Sequence, residues 1–590
     1  MSALAQGRMI PAEGVALARP SPLFTVRLLL ALARFTEAYA WSAFAAVSLA
    51  CGWGHAQALI SRRLDFDELF TFYIADASSV RNLLELTHRV DFHPPLSYLL
   101  VRASFAIFGV SSWSCRLPFL LAFHLTAALL FWFVKRLLSP LYGLIAVLLL
   151  WSVPLSYLST EARPYSLLLC FTTLMLVSWH EATREDRSSR RRLPLAALMA
   201  GGFGLLLSHV LGLLPYAVLF AAEFLRLWIR RKPDWRLWAA LTVPLFAIVT
   251  HLALIRTHNA MLFAQEYRIT SLRMFVFYWE SIRCIATPLA VIAALAWLWP
   301  ARREQSSAAA PVALAAMGGP LRMILIGLSI IPLVVGGVFA CTGAYFFDRY
   351  GIVWLIPLTL VPVLVLGYCT NRDPLAGTVV ALVLATVLFF NTAGKAWLLE
   401  QLASVVPPSV AAKLLYSVAL VPIYPPSNYP PVPAHLQAGL ANAPRIAHLE
   451  TVEPELPLVA HTALTFLELD QRENAHVQQR LYLLTDENAA ATIAHDTVFA
   501  HFERVKEVFP IRGKVASYAR FISEHPRFLV VGAYDHPLGW LLRKLERDGA
   551  ELRVVGLCSG NTEDCQIYEV RVRDAHSQKK ATSSTHADAE

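Results

Sequence analysis

Residues 117–160 read LPFLLAFHLTAALLFWFVKRLLSPLYGLIAVLLLWSVPLSYLST, and Lys135 and Arg136 are the only charged residues among them. A helix needs about 17 to 25 mostly apolar residues to cross a bilayer, and the stretches on both sides of the basic pair are that long. Basic residues between two such stretches are typical of a cytoplasmic loop. The sequence therefore predicts two consecutive transmembrane helices joined on the cytoplasmic side.

The whole chain has the composition of a membrane protein. Of its 590 residues, 56% are hydrophobic and 16% are charged, whereas soluble domains carry about 25% charged residues. The net charge of +9 does not indicate nucleic-acid binding, because the basic residues cluster at the ends of apolar stretches, where they set orientation and contact headgroups. Further uncharged apolar stretches lie at residues 38–59, 164–180, 193–222, 237–255, 284–301, 323–347, 350–371 and 374–394.

The basic residues also predict the topology. The stretch 193–222 is flanked by arginines at both ends, so we expect it to cross twice and to turn near Ser208 and His209. This gives a polytopic α-helical membrane protein with about eleven transmembrane helices, a cytoplasmic N-terminus and an extracytoplasmic C-terminus. Arg62 and Arg63 fall on the outside in this scheme and count against it.

The segment HPPLSYLLVRASFAIFG, residues 93–109, is apolar but has Arg102 at its centre. A central Arg costs about 2.5–3.5 kcal/mol on insertion scales. We therefore expect a helix that lies in the outer membrane interface, so that residues 59–115 form one large extracytoplasmic loop.

The sequence changes character after residue 394. The run PIYPPSNYPPVP, residues 422–433, predicts a stiff linker. Beyond it the pattern is that of a soluble α/β domain: LPLVA, RLYLLTD, RFLVVGA, ELRVVGL and CQIYEVRV are predicted strands, and GWLLRKLERDG is a predicted helix that ends at glycine. For Cys558 and Cys565, which flank a polar turn, a disulfide and two free thiols are equally consistent with the sequence.

These features divide the chain into five regions. They are a cytoplasmic tail (1–34), a transmembrane domain (35–395), an interfacial segment with the linker (396–445), an extracytoplasmic α/β domain (446–575) and a disordered tail (576–590). We expect the α/β domain to act as a lid or a docking platform, because no Gly-rich phosphate loop or catalytic cluster lies among its predicted strands.

Acidic residues cluster in the predicted first loop. It contains Asp65, Asp67, Glu68, Asp91 and, close by, His93. Charged groups at the membrane are costly unless they are solvated, paired or functional. One interpretation is an ordinary hydrated loop, and the other is a site for chemistry at the membrane surface.

Four motifs in order resemble the GT-C glycosyltransferases of the family 39 type, among them the protein O-mannosyltransferases and the lipid A aminoarabinose transferases. They are Asp67-Glu68 after the first span, HPPL followed by FGVSSWSCRLP at 93–118, EARPY at 161–165, and FFDRYGIVWLIPL at 346–358. The resemblance covers roughly residues 35–395. It implies a GT-C fold in a bacterial inner membrane, and transfer of a sugar from a polyprenyl-phosphate carrier to a lipid, glycan or protein outside the cytoplasm.

The resemblance also implies roles for the two carboxylates. Asp67 would be the general base that takes the proton of the acceptor hydroxyl, in a single displacement that inverts the anomeric carbon. Glu68 would orient the acceptor, or share a metal ion or a proton with Asp67. Because consecutive side chains of an extended segment point apart, we do not expect a paired acid and base.

A leaving phosphate requires Arg, His or N–H donors. Arg349, next to Tyr350, is our first choice as a phosphate ligand. The alternative for Arg349 is an interfacial anchor that reaches the headgroups, and Arg116 and Arg163 can instead pair with acids of the loop. The remaining candidates around the site are His93, Asp91, Glu161 and Tyr165, whereas His209 is expected to be a hydrogen-bonded structural residue.

We expect no essential metal. Some relatives use a divalent cation, and Asp67, Glu68, Asp91 and His93 offer suitable ligand types, but their spacing matches no metal motif. Two other functions stay open: a transporter or flippase of lipid-linked sugars, and a non-catalytic scaffold. The ionisable groups collect at one membrane face and no internal repeat is visible, which favours surface chemistry over a path through the membrane.

Overall fold

The computed structural model describes residues 22–62, 64–91, 93–184, 191–251, 273–283, 285–298, 318–342, 346–391, 432–441, 443–494, 506–536, 539–558 and 566–572. Its N-terminal two thirds form a helical bundle. The helices are α1 (Pro22–Ala38), α2 (Ala40–Ser61), α3 (Phe66–Ala75), α4 (Val80–Val90), α5 (Leu96–Phe108), α6 (Ser112–Leu137), α7 (Pro140–Ser152), α8 (Tyr165–Thr183), α9 (Arg192–Ser208), α10 (Leu213–Arg230), α11 (Trp235–Thr242), α12 (Arg273–Arg283), α13 (Ala286–Leu298), α14 (Gly319–Thr342), α15 (Leu355–Cys369) and α16 (Pro374–Asn391).

Four of the described helical segments are long and apolar enough to cross a membrane: Ser112–Leu137, Val210–Arg230, Gly319–Cys341 and Asp348–Cys369. The pair Met274–Arg283 and Ala286–Leu295, bent by 63°, is a fifth candidate, and shorter apolar helices lie at Ala40–Trp53, Leu96–Phe108, Pro140–Ser152, Arg192–Ser208 and Pro374–Phe389. The chain is therefore a multi-pass α-helical membrane protein. The number of eleven crossings stays a prediction.

The stretch 193–222 is broken where the sequence predicted a turn. α9 ends at Ser208, His209 is extended, and a short 3₁₀ turn leads into α10. Gly212 lies in this turn, where a Cβ atom would come within 2.6 Å of the Leu205 carbonyl oxygen. A side chain at this position would force the turn apart, so the glycine fixes the sharp reversal.

One helix was missed by the sequence analysis. Residues 22–34, assigned to the tail, belong to α1, which packs against α2, α7 and α16. Its apolar pattern is interrupted by Arg27, Arg34 and Glu37, so it has no charge-free stretch long enough to predict a span.

The first loop is itself helical. α5 forms at the predicted interfacial helix, and Arg102 at its centre donates hydrogen bonds to the carbonyl oxygens of Ala75 and Ala77. The expectation of an extended segment at Asp67-Glu68 is wrong, since both residues lie in the first turn of α3. Asp65 and Glu68 form a capping box there, a reciprocal pair of side-chain bonds to backbone N–H groups that starts a helix.

The C-terminal region forms a seven-stranded sheet in the order β1-β6-β7-β5-β2-β3-β4. Strands β2 to β5 are parallel, whereas β7 runs antiparallel to both β5 and β6. The strands are β1 (Arg445–Ile446), β2 (Leu458–Ala460), β3 (Leu481–Thr485), β4 (Lys514–Ser517), β5 (Arg527–Val531), β6 (Glu551–Cys558) and β7 (Gln566–Arg571). The helices around them are α17 (Ala434–Ala441), α18 (Ala463–Arg472), α19 (Ala475–Arg480), α20 (Glu487–Ala494), α21 (Tyr518–Glu524) and α22 (Leu541–Arg547).

All five predicted strands are present, and α22 ends before Gly549, which has a positive φ of 82°. The sequence missed β1 and β4, which are short and lie at the two edges of the sheet. Cys558 is disulfide-bonded. Its predicted partner Cys565, most of the linker and the tail from residue 573 lie outside the described residues.

Helix α3 packs directly against this sheet region. The rings of Phe70 and Tyr73 lie 5.4 and 4.9 Å from that of Phe509, which is only 4% exposed. Asp470 of α18 holds the neighbouring loop by accepting hydrogen bonds from the backbone N–H groups of Arg512 and Gly513. One hydrophobic cluster thus extends from the first-loop helices into the C-terminal strands, so the sheet supports the helix that carries Asp67.

Candidate active site

The four sequence motifs meet at one end of the bundle, where α2 and α9 end and α6, α8 and the 3₁₀ turn before α15 begin. The carboxylate of Asp67 lies 2.6 Å from Nη1 of Arg349. Arg163 donates a hydrogen bond to the Asp67 carbonyl oxygen, 3.2 Å away. Residues far apart in the sequence therefore form one polar cluster, as the order of the motifs indicated.

Asp67 is more accessible than Glu68 and Asp91, since 33% of its side chain is exposed, against 0% and 6% for the other two. Burial by itself would raise the pKa of Asp67, but the positive charges of Arg163 and Arg349 outweigh it and hold the pKa below its usual value. Asp67 is therefore ionised at neutral pH, which is the form that can accept a proton.

Glu68 occupies a different environment and is fully buried, with 0% of its side chain exposed. Arg116 binds it through two bonds, from Nε at 2.7 Å and from Nη2 at 2.6 Å. Arg62 adds a third bond at 3.1 Å, and the backbone N–H groups of Ala162 and Asp65 donate at 2.8 and 3.1 Å. Both carboxylate oxygens are thus engaged by protein groups.

Arg116 is buried together with Glu68. Its remaining donor, Nη1, binds the carbonyl oxygens of Leu59 and Arg62 at 3.2 and 2.6 Å. Arg116 thus pairs with a loop acid, which was the alternative interpretation of this residue. The same contacts give Arg62 a partner at the end of α2, although the sequence had counted it against the topology.

Asp91 and His93 form a second group around Arg163. Asp91 accepts from Arg163 at 2.9 Å and from the Tyr98 hydroxyl at 2.7 Å. Nε2 of His93 lies 2.8 Å from Nη2 of Arg163, and because a guanidinium cannot accept a hydrogen bond, Nε2 is the acceptor. Burial lowers the pKa of Arg163, but Asp91 and Asp67 dominate and raise it overall, so Arg163 stays charged.

Aromatic rings surround Arg349. Its guanidinium carbon lies 4.6 Å from the Phe347 ring, 5.5 Å from Tyr165 and 6.0 Å from Tyr350. Stacking of this kind orients a guanidinium plane without consuming its hydrogen-bond donors. Arg349 is therefore held in place while Nε, which is buried, has no hydrogen-bond partner among the described residues.

Two further carboxyls lie beside the cluster. Burial, together with the charges of Asp65 and Glu68, raises the pKa of Glu161 to about 8. Burial and the charges of Glu68 and Asp67 raise the pKa of Asp65 to about 6. Glu161 is therefore mostly protonated at neutral pH, and in this form its carboxyl can donate a hydrogen bond.

Three residues of the cluster were not predicted as site residues from the sequence: Arg62, Tyr98 and His209. No local pattern marks the first two, because their roles depend on partners that the fold brings close. His209 was noted at its turn but interpreted as structural. Its ring lies 4.7 Å from that of His93 and 5.3 Å from that of Tyr165, so it belongs to the same cluster.

The acids of the cluster are already paired with arginines. Within the described residues, no three His, Cys, Asp or Glu side chains are grouped so that they could hold a metal ion. Asp67 pairs with Arg349, Glu68 with Arg116 and Asp91 with Arg163. A divalent cation at any of these carboxylates would have to displace a guanidinium.

Residues 92–254 match the family model of the dolichyl-phosphate-mannose-protein mannosyltransferases. The match confirms the resemblance to GT-C glycosyltransferases that the four motifs indicated. The matched range contains the HPPL and EARPY motifs, while Asp67 and Arg349 lie on either side of it.

Several solved structures are similar to this chain. ArnT from Cupriavidus metallidurans bound to undecaprenyl phosphate is 16% identical, with a TM-score of 0.47 over 90% of this chain and 97% of that chain. The apo state of the same ArnT gives 16% identity and a TM-score of 0.45 over 90% and 98%. The Archaeoglobus fulgidus oligosaccharyltransferase in complex with Zn and sulfate gives 11% and 0.39 over 82% and 68%. No curated protein sequence matches the chain.

Proposed function

We propose that this protein is a membrane glycosyltransferase that moves a sugar from a polyprenyl-phosphate-linked donor to an acceptor hydroxyl on the extracytoplasmic side of a bacterial inner membrane. The observation that carries the proposal is the pairing of Asp67 with Arg349. It places an accessible, ionised carboxylate beside a cation that is suited to a phosphate. The family match over residues 92–254 supports the same class of reaction.

The proposed reaction is one displacement. The acceptor oxygen forms a bond to the anomeric carbon while its proton passes to the carboxylate of Asp67. The bond between that carbon and the phosphate oxygen breaks, and its electron pair leaves with the polyprenyl phosphate. Attack from the side opposite to the leaving group inverts the anomeric carbon. General-base assistance of this kind is worth about 10²–10⁴ in rate.

Arg349 links the two halves of the reaction. Without the donor it pairs with Asp67 and lowers the basicity of that carboxylate. A donor phosphate offers Arg349 a second anion, and sharing the guanidinium weakens the hold on Asp67. We propose that donor binding thereby raises the pKa of Asp67, so that the base is strengthened only when there is a sugar to transfer.

The other predicted residues act on this pair. Arg163 and His93 orient the first loop beside Asp67, Arg163 adds positive charge, and Tyr165 and Tyr350 hold the plane of Arg349. Glu68 and Arg116 are both fully buried and bind each other through two hydrogen bonds, so we assign them a positioning role. Their buried pair fixes the first turn of α3 against α6.

An apolar groove in the helical bundle suits the polyprenyl tail. It lies between α10 and α14 and has a volume of about 700 Å³. Leu214, which follows the His209 turn in the chain, is one of its lining residues, and Arg322 is the one charged residue that lines it among the described residues. Such a groove buries a long hydrocarbon chain without an unpaired polar group.

The experiment is a donor-consumption assay with purified protein in detergent and polyprenyl-phosphate sugars of several kinds. Wild-type protein should release polyprenyl phosphate, and Asp67→Asn should stop the release although it binds the donor at least as tightly as wild type and unfolds at nearly the same temperature. Addition of a chelator should leave the rate unchanged if no metal takes part. Arg89→Gln, a control in an exposed pair with Glu85, should react like wild type.

Two outcomes would contradict the proposal. If Asp67→Asn releases polyprenyl phosphate as fast as wild type, Asp67 is not the general base. Passage of intact donor across liposomes without consumption would indicate a transporter.

A further inference from the structure

The imidazole of His209 has one nitrogen whose role is fixed by the fold. The backbone N–H of Leu211 donates a hydrogen bond to Nδ1 of His209 at 2.9 Å. A nitrogen that accepts a hydrogen bond carries no proton, so the neutral ring bears its proton on Nε2. His209 therefore presents an N–H donor on the edge of the ring opposite to Nδ1.

This donor has no acceptor within the described residues. Nε2 is buried without a hydrogen-bond partner, and the whole residue is only 3% exposed. An unsatisfied buried donor costs about 1–3 kcal/mol, and such groups are rare enough in native proteins to require an explanation. A polar ligand that enters the site would supply the missing acceptor.

The surroundings of His209 indicate what kind of acceptor this is. The ring lies against those of His93 and Tyr165, and the guanidinium carbon of Arg349 lies 5.5 Å from the same Tyr165 ring. Nε of Arg163 and Nε of Arg349 are also buried donors without partners among the described residues. The pocket thus has a surplus of N–H groups and favours a ligand rich in acceptor oxygens.

We propose that His209 donates a hydrogen bond from Nε2–H to an oxygen of the donor's phosphate, beside Arg349. This inference rests on the proposed function, since it deepens the assignment of the same site. His209 would be a phosphate ligand supplied by the α9–α10 turn, five residues before Leu214, which lines the apolar groove. Phosphate and prenyl tail would then be bound by consecutive parts of the chain.

Two substitutions separate a ligand contact from a structural role. His209→Asn places an oxygen where Nδ1 lies and keeps the acceptor for Leu211, but it has no group at the position of Nε2. His209→Gln places its amide N–H₂ where Nε2 lies and loses the acceptor for Leu211. A phosphate contact predicts that His209→Asn is defective and His209→Gln is partly functional, and a purely structural role predicts the reverse.

The measurement is the affinity of undecaprenyl phosphate for the full-length protein in detergent, with undecaprenol as the phosphate-free control. We expect His209→Asn to bind undecaprenyl phosphate about 10- to 100-fold more weakly than wild type, as for loss of a hydrogen bond to a charged group. Binding of undecaprenol should not change, and His209→Gln should lie closer to wild type. His251→Gln, which alters a buried histidine bonded to the Leu206 carbonyl oxygen, is the matched control and should bind normally.

The inference fails if His209→Asn binds undecaprenyl phosphate as wild type does, or if it loses undecaprenol to the same extent. Failure of the proposed function has another signature, because wild-type protein would then not distinguish undecaprenyl phosphate from undecaprenol. The unfolding temperature of each variant shows that the comparison is made between folded proteins.

Discussion

Asp67 and Glu68 are consecutive in the chain, yet their carboxylates bind different arginines: Asp67 pairs with Arg349 at 2.6 Å and Glu68 with Arg116 at 2.6 Å. In the first turn of a helix, consecutive side chains point about 100° apart around the axis. One carboxylate faces the accessible site and the other faces the interior of the bundle. This difference in surroundings separates the proposed base from the residue that holds the helix in place.

The first prediction concerns Glu68. Replacing Glu68 by Gln leaves Arg116 buried without its counter-charge, and breaking a buried ion pair costs about 3–5 kcal/mol. When the protein is titrated with a denaturant in detergent solution, we expect this variant to unfold at a clearly lower denaturant concentration than wild type. Asp67→Asn, which alters a partly exposed pair, should cost below about 1 kcal/mol. Equal stability losses for the two variants would contradict the separation of their roles.

The second prediction concerns Arg349 and pH. Arg349 lowers the pKa of Asp67 whereas burial raises it, so removing the charge in Arg349→Gln should raise that pKa. In wild type the pKa of Asp67 lies below the usual value of an aspartate, so the base stays ionised until the pH is low. Activity should therefore be lost only at low pH. In the variant the loss on acidification should begin at a higher pH, in a profile of kcat/KM measured with the donor varied.

Arg349→Lys is the control for this profile. It keeps the positive charge but loses the planar stacking on Tyr165 and Phe347. We expect its acid limb to stay near that of wild type while its rate falls. An acid limb that does not move in Arg349→Gln would show that Asp67 is not the titrating base.

The third prediction concerns Glu161, whose pKa is raised to about 8 by burial and neighbouring acids. An unfolded Glu ionises near pH 4.3, about its usual value. Between these two values the unfolded state loses a proton that the folded state keeps, so stability decreases as pH rises and levels off above about pH 8. Glu161→Gln removes this loss.

The difference in unfolding temperature between Glu161→Gln and wild type, measured from pH 5 to 9, should therefore become more positive up to about pH 8 and then stay constant. Glu85→Gln, at an exposed site, should give no such trend. A difference that is independent of pH would mean that Glu161 is not held in its protonated form.

The fourth prediction concerns the contact between the sheet and α3. Phe509 packs on Phe70 and Tyr73, and truncation of a buried Phe costs about 3–5 kcal/mol. Phe509→Ala should also slow transfer per folded molecule, because α3 carries Asp67 in its first turn. Phe528→Ala is the matched control, since Phe528 is fully buried in a cluster on the opposite face of the sheet.

Phe528→Ala should lose comparable stability but keep its rate at a temperature where both variants are folded. Equal rates for the two variants would contradict a positioning role of the sheet. The expected change is in kcat and not in the KM for the donor, because Phe509 does not line the donor groove.

The sequence predicted the helices, turns and strands of this fold well where the composition or pattern of a short stretch is enough to specify the element. The apolar stretches became helices, the turn formed at His209, and the five predicted strands of the sheet appeared at the positions where the sequence placed them. It failed at α1, where charges interrupt the apolar pattern, and at Asp67, where the capping signature Asp65-x-x-Glu68 was present but was interpreted as an extended segment.

What the sequence alone determined is therefore the membrane-protein class, the order of helices and strands, and the set of acids and arginines gathered at one end. These follow from burial of apolar surface and from local backbone preferences, which act over neighbouring residues. The tertiary structure decided which arginine neutralises which acid, which carboxylate stays accessible, and that His209 has a donor to offer. Those outcomes depend on distances and desolvation between segments far apart in the chain, and no local pattern specifies them.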